Sequence, residues 1–331
     1  MKKTREKLFK IAGLLCIAGA VFYLISLIAV GFDFTRLDTV NYETKTYKVG
    51  GIKFDGKKVG RTIERIWIEG TTADICFFGS ETNKVICHET EKLKYSVGIE
   101  DGTLFIKAED TRKGLEHVGI SYEDAKVEVY LSLNSYELLV LKNTTGDVNM
   151  PKEFRFDNVM LETDTGEVSW GASVDGRLEL YGGTGDVSVR DGKVGELDIK
   201  TTTGEVCLKN ATVGGKITVE TDTGSILLDK VFCGDLTTES GRGALTLKDT
   251  TVTRECYVLT ETGDVSFKRF DAKYSKVQTD TGDVKGTLPL GAVFSVESET
   301  GDICVPKSNT ASAKICEVST NTGDIEIELA N

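Results

Sequence analysis

Ten glycines in the second half of the chain keep a nearly fixed beat. They stand at Gly146, Gly166, Gly185, Gly204, Gly224, Gly243, Gly263, Gly282, Gly301 and Gly323, at steps of 20, 19, 19, 20, 19, 20, 19, 19 and 22 residues. Around them one phrase recurs, as TTGDV ending at Val148, TDTGEV at Val168, TTGEV at Val206, TDTGDV at Val284 and NTGDI at Ile325, with a degraded copy, GRGAL, ending at Leu245. A period near twenty predicts a solenoid, in which each repeat is one turn of chain stacked on the last.

The residues flanking each glycine fix what kind of solenoid. Two places after it (+2) stand Val148, Val168, Val187, Val206, Ile226, Leu245, Val265, Val284, Ile303 and Ile325, all aliphatic. Positions +4, −5 and −7 behave alike, and across these four columns only Thr238, Ser275 and Gly286 are not apolar. Alternation with period two on both sides of the turn means two short strands per repeat, each with one buried face. A lone repeat cannot bury that face, but in-register stacking can, each strand pairing in parallel with its counterpart one coil away. The fold class is therefore all-β, a parallel β-solenoid of about ten coils of 19–20 residues, ~45 Å long at a strand spacing of ~4.8 Å.

The turn itself needs glycine where β-carbons are disfavoured. Threonine precedes it in nine copies, Arg242 being the exception, and offers a hydroxyl ladder along the stack. Pro151, Pro289 and Pro306 each fall five to seven residues after a repeat glycine, where the second strand exits and no ladder donor is needed.

Upstream, RIWIEG (65–70), KVICHE (84–89), TLFIKA (103–108) and KVEVYLSL (126–133) also alternate, but without a glycine period. Residues 33–135 read as an irregular β-rich cap that closes one end of the stack, and 136–331 as the solenoid. Before both, Lys2, Lys3, Arg5, Lys7 and Lys10 stand against a lone Glu6, followed by an apolar run from Ile11 to Val30. Residues 11–32 are long enough for a transmembrane helix, and the basic flank 1–10 belongs in the cytoplasm, which sends the rest of the chain across the membrane. A cleaved signal peptide is the competing reading, but its small-x-small site, Ala18 to Ala20, lies inside the apolar run. Lipoprotein processing is excluded, since Leu14 and Leu15 precede Cys16.

The whole chain carries a net charge of −12; the first ten residues hold five basic groups and one acidic, so the remainder carries −16. That argues against nucleic acid, and against direct attraction to anionic lipid or wall polymer.

TGDV and TGEV turns about nineteen residues apart, after a β-rich lead-in and one N-terminal membrane segment, resemble the bacterial β-strand-repeat family known as "putative adhesins". The resemblance covers roughly residues 60–331. VEVYLSLNSYELLVLKNTTGDV (127–148) looks like that family's entry into the repeats, with Ser132 where a proline is common. It implies this architecture and no catalytic residues.

Candidate chemistry is sparse. Position +1 is acidic in eight coils: Asp147, Glu167, Asp186, Glu205, Asp264, Asp283, Asp302 and Asp324. Position −2 adds Asp164, Asp222, Glu261, Asp280 and Glu299. Carboxylate pairs come free along such a column, so they do not identify a glycosidase. The plain reading is turn chemistry, in which they accept backbone hydrogen bonds. The alternative is a row of surface Ca2+ sites at Asp264, Asp283 and Asp302, where a hard cation would relieve repulsion between stacked carboxylates. His88 and His117 lack metal-ligand spacing, and His88 and Cys87, adjacent on a strand, face opposite ways. There is no Cys-x-x-Cys pair and no phosphate loop. A hairpin turning between Glu81 and Thr82 would set Cys76 opposite Cys87, within reach of a disulfide, whereas Cys256 and Cys316, three coils apart, are core thiols. Cys207 and Cys304 share an exposed column. Trp170 points inward by the repeat register; Trp67, between Ile66 and Ile68, is left open.

These readings converge on a non-enzymatic, single-pass cell-membrane protein with an extracytoplasmic solenoid, held to the bilayer by its N-terminal helix. It would act as a binding, adhesion or scaffold module toward an envelope protein or polymer. A regulatory partner of an envelope-stress or transport system is the alternative, and a polysaccharide-active β-helix enzyme a distant one.

Overall fold

A computed structural model describes residues 40–50, 52–54, 57–59, 63–112, 125–288 and 291–329. The membrane segment expected at 11–32, His117 and Pro289 lie outside the described residues. Within them the chain is all strand and turn, arranged as two large sheets that face each other across one core. One sheet is built of long strands such as Arg155–Thr165 and Lys193–Thr203, the other of short ones such as Val168–Trp170 and Val206–Lys209. Each glycine turn carries the chain from the first to the second.

The pairing is parallel through all ten coils and keeps the aliphatic columns aligned, with register shifts confined to the first residues of some long strands, as between Phe156 and Val159. Val168 aligns with Val187, Val187 with Val206 and Val206 with Ile226; across the core Leu161 aligns with Leu180 and Leu180 with Ile199. The four predicted columns are buried in the interior coils, and Trp170 is inside, its indole N–H donating to the Ala172 carbonyl at 2.9 Å. Trp67 is 42% exposed while its neighbours Ile66 and Ile68 are buried. The second corner of the coil, six residues after the glycine, uses left-handed backbone without glycine at Asp191, Asn210, Lys230, Asp249 and Arg269.

Coil order in space departs from order in sequence at both ends. Strand Ile315–Thr322 pairs with Asp271–Thr281 on one side and with Val293–Thr300 on the other. The Gly323 coil is thus inserted between those of Gly282 and Gly301, and the Gly301 coil is outermost. Identical coils present identical edges, so the period cannot say which neighbour a coil takes; only the long last step of 22 residues leaves room for the return path through 305–314.

At the other end the expected irregular cap contains two further coils. Arg65–Thr71 and Asp74–Gly79 stack in parallel on the Gly146 coil, and Thr103–Asp110 and Lys126–Leu131 stack on them in turn. The turn of the inner coil, Thr72-Ala73-Asp74-Ile75, is a disguised repeat, with Ile75 aligned to Val148. Antiparallel strands then close the stack: Leu93–Glu100 on one sheet, and Lys84–Glu89 followed by Glu43–Lys48 on the other. Fourteen described strands in the short-strand sheet make a rod ~60 Å long at ~4.8 Å per strand, longer than ten coils require.

This topology corrects two cysteine expectations. Lys126–Leu131 lies between the strands of Cys76 and Cys87, Cys76 aligning with Glu128 and Cys87 with Val127. There is no hairpin to bring the thiols together, Cys87 faces the core, and both are free. Burial pushes the Cys87 thiol up to about 12. Cys256 and Cys316 are two coils apart rather than three, each aligned with Ser275 between them.

The closing strands are pinned by a buried carboxylate. Glu89, 1% exposed, accepts from the Tyr47 hydroxyl and from the Tyr95 amide (3.3 Å), and pairs with Lys45 (3.6 Å) and Lys94 (3.4 Å). Burial by itself raises its pKa, but the Tyr47 hydrogen bond, the Tyr95 amide and the two lysines outweigh it and hold the group below its ordinary value of 4.5. A depressed folded-state pKa contributes stability above pH 4.5 that is lost as pH falls through the folded value.

Two outcomes follow from this architecture. Val187→Asp places a carboxylate in the core and is expected to cost about 4 kcal/mol or more, whereas Ser188→Asp, on the outer face, leaves the denaturation midpoint nearly unchanged; equal effects would refute the register. Glu89→Gln is expected to lower stability by about 1–3 kcal/mol at neutral pH and to flatten the decline below pH 4.5, read as melting temperature against pH.

Candidate functional site

The repeated turns form one continuous edge, and three ladders run along it. The first is the glycine column. All ten glycines have φ between 121° and 159°, and a β-carbon on Gly204 would lie 2.0 Å from the Gly185 carbonyl oxygen of the preceding coil. Glycine is required here twice over, for its backbone conformation and for the closeness of the coil below.

The second ladder is made of aspartates. The turn leaves the +1 amide outside the sheet hydrogen-bonding pattern, and it donates to the aspartate of the coil before. The Glu167 amide donates to Asp147 Oδ1 at 2.8 Å, Glu205 to Asp186 at 2.7 Å and Asp283 to Asp264 at 2.9 Å. The disguised coil joins in, the Asp147 amide donating to Asp74 Oδ1 at 2.9 Å. At the far end Asp324 donates to Asp283, and Asp302 to Asp324, both at 2.9 Å.

The order along the edge is Asp264, Asp283, Asp324, Asp302, so the proposed cation residues Asp264, Asp283 and Asp302 do not stand in three consecutive coils. Asp264 and Asp302 are exposed and Asp283 is half-buried. Asp283 is engaged on both oxygens, since its Oδ2 accepts from Lys285 at 2.8 Å; that hydrogen bond, then the Asp324 amide, lowers its pKa. A cation there would have to share the carboxylate with an amide and an ammonium. Among the described residues no three His, Cys, Asp or Glu side chains are grouped to hold a metal ion.

The third ladder was not anticipated. Three residues before eight of the ten glycines stands a buried polar side chain, Asn143, Thr163, Thr201, Thr221, Ser240, Thr260, Thr279 or Thr320; Gly182 and the half-buried Ser298 hold the other two places. Thr279 donates to the Gly263 carbonyl and Thr320 to Gly282, each at 3.1 Å, Ser240 to Gly224 at 3.2 Å and Ser298 to Gly323 at 3.0 Å. These four hydroxyls satisfy glycine carbonyls at the core boundary, where a lost partner is costly, whereas those of Thr201 and Thr221 are buried without a hydrogen-bond partner. The hydroxyl row thus stands two residues earlier than placed and is interrupted in mid-rod; the threonines next to nine of the glycines are exposed. The signal was present as a third period-two position inward of −7 and −5, but its residues are polar.

Away from the edge, the outer face of the long-strand sheet has two shallow depressions. One, of about 340 Å³, opens at Gly182 and Gly183, where two side chains are missing, and is bordered by Tyr181, Asp164, Asp222 and the Lys200–Glu220 pair (2.8 Å). The other, of about 410 Å³, is lined by Tyr257, Glu255, Thr237, Lys216 and the Arg254–Asp235 pair, whose guanidinium Nε lies 3.0 Å from both carboxylate oxygens. The Arg254 hydrogen bonds hold Asp235 below the usual carboxylate range. Tyr257, 41% exposed, stands 5.8 Å from Tyr274, and their hydroxyls donate to Glu255 and Glu317 at 3.0 Å each. Each depression combines an aromatic plane, a cation and carboxylates without a nucleophile–base pair, a combination that can hold a polar ligand or a protein loop. His88 lies far from both, in the closing strands, its side chain on the opposite face from Cys87.

If the aspartate ladder ties coil to coil, Asp186→Ala should lower stability by about 1 kcal/mol, and Asp186→Asn, which keeps the acceptor oxygen, by less than half of that. Gly204→Ala should cost several times more; a melting temperature that orders the three differently would refute the ladder.

Among solved structures, the chain is similar to a "putative adhesin" from Bacteroides fragilis, with 15% identity over 88% of this chain and 99% of that one and a TM-score of 0.41. It is also similar to a "putative adhesin" from Parabacteroides distasonis, at 11% identity, 88% and 98% coverage and a TM-score of 0.45. A "putative lipid binding protein" from the same organism shares 16% identity over 75% of this chain and 95% of that one, with a TM-score of 0.41. No curated protein matches the chain. Residues 63–229 and 211–331 each match Toastrack DUF4097, together taking in every glycine coil and most of the capped end, and the chain belongs to that family.

Proposed function

We propose that this protein is a rigid binding and scaffold module of the bacterial cell envelope, held at the cytoplasmic membrane by residues 11–32 with its solenoid outside, and that it acts by contact rather than catalysis. The observation that carries the reading is the outer face of the long-strand sheet. It is a sheet face paired from coil to coil, on which Tyr181 and Tyr257 stand beside ion pairs in two shallow depressions. Preorganised aromatic and charged groups on a rigid support bind with little ordering cost. The basic flank followed by twenty apolar residues supports the anchor and its orientation. The partner is an envelope protein or polymer met through this face.

A photo-cross-linking residue in place of Tyr257, in the full chain in intact cells, is expected to capture an envelope component that the same residue in place of Ser188 does not. A cysteine introduced near Asn331 is expected to react with a membrane-impermeant maleimide before lysis. Labelling only after lysis would overturn the orientation, and equal or absent capture at the two positions would overturn the binding face.

A further inference from the structure

The two ends of the rod are treated differently. At one end the last parallel coil is covered by the antiparallel strands Lys84–Glu89 and Leu93–Glu100, which turn Val85, Cys87, Leu93 and Tyr95 inward and Lys84 and Lys94 outward. At the other end, among the described residues, nothing pairs with the outer edges of Val293–Thr300 and Ile303–Cys304. The core columns there are only half covered: Phe294, Val296 and Val305 are partly buried and Ile303 is 46% exposed. In the coil beneath, the Gly323 and Ile325 amides donate to Thr300 and Asp302. Among the described residues no strand meets the matching amides of Gly301 and Ile303, and none gives Asp302 an amide of the kind that Asp283 and Asp324 receive. The outward side chains on this edge, Glu297 and Glu299, are exposed and acidic.

We propose that this open end is a strand-addition site for a partner protein, whose extended segment alternates apolar residues with lysine or arginine. Unpaired parallel edges template an incoming strand, and this fold already accepts antiparallel strands on a coil edge at its other end. Apolar side chains of the segment would complete the Phe294 and Val296 columns. Its basic side chains would lie against Glu297, Glu299 and Asp302, so charge complementarity selects a cationic segment over a second copy of this acidic chain, which would set carboxylates against carboxylates.

The test uses the full chain, purified in detergent, and two fluorescent octapeptides that alternate valine with lysine or valine with glutamate, followed by anisotropy. The lysine peptide is expected to bind at least tenfold more tightly than the glutamate peptide. Glu297→Lys combined with Glu299→Lys should reverse that preference, while Glu239→Lys, on the same sheet face in mid-rod and outside both depressions, leaves it unchanged. Should the double reversal fail to fold, Glu297→Gln with Glu299→Gln must weaken the lysine peptide several-fold. Absence of lysine-peptide binding, or binding insensitive to these edge changes or equally sensitive to Glu239→Lys, overturns the proposal. So does a dimer of the chain that the peptide displaces, since it would make the occupant a second copy.

Discussion

The closeness of successive glycine turns sets the rest of the structure. With Gly204 lying against the Gly185 carbonyl, no side chain can intervene, and the coils meet at strand spacing along the turn edge. Once the turns are that close, the strands on either side must pair in register, and like side chains must stack on like. Aliphatic columns then become a continuous core, and the +1 aspartates come within reach of the next coil's amide. Glutamate at the same position, as in Glu167 and Glu205, keeps the charge but adds a methylene, and no following amide is held by those two. The choice between TGD and TGE is therefore a choice about coil-to-coil bonding.

Much of this was legible in the chain because burial imposes a simple alternation. Val187, Val189, Leu178 and Leu180 read as one interior from alternation alone, and Trp170 falls inside by the same count. The turn's polar inventory was less legible. Thr279 and Thr320 sit on inward positions but carry hydroxyls, so a search for apolar columns passes over them, although their role is to satisfy carbonyls that the core would otherwise strand. The coil at Thr72-Ala73-Asp74-Ile75 was hidden because alanine stands where the period demands glycine. Ala73 is tolerated there since it is absent from the left-handed backbone positions that the true repeats share.

Spatial order was illegible for a deeper reason. A repeat specifies how a coil meets a neighbour but not which neighbour, since every edge offers the same pattern of donors, acceptors and apolar columns. The candidate binding surfaces share that limit. Tyr181 beside Gly182 and Gly183, or Tyr257 beside Arg254, become a surface only when coils of known order bring their outward residues together. The charge of the chain, by contrast, could be weighed from the start, and it disfavours the same anionic partners whether spread along a rod or gathered on a globule.

The inserted coil changes how the rod would respond to force. In a solenoid wound strictly in sequence, a pull on the C-terminal strands peels the outermost coil away one hydrogen bond at a time. Here Ile315–Thr322 and Ile325–Leu329 are gripped on both edges, by the strands of the Gly282 coil and by those of the Gly301 coil. Tension along those strands must shear two ladders in each sheet at once, so the far end of the rod is tied like a splice, with its tail tucked beneath the last turn.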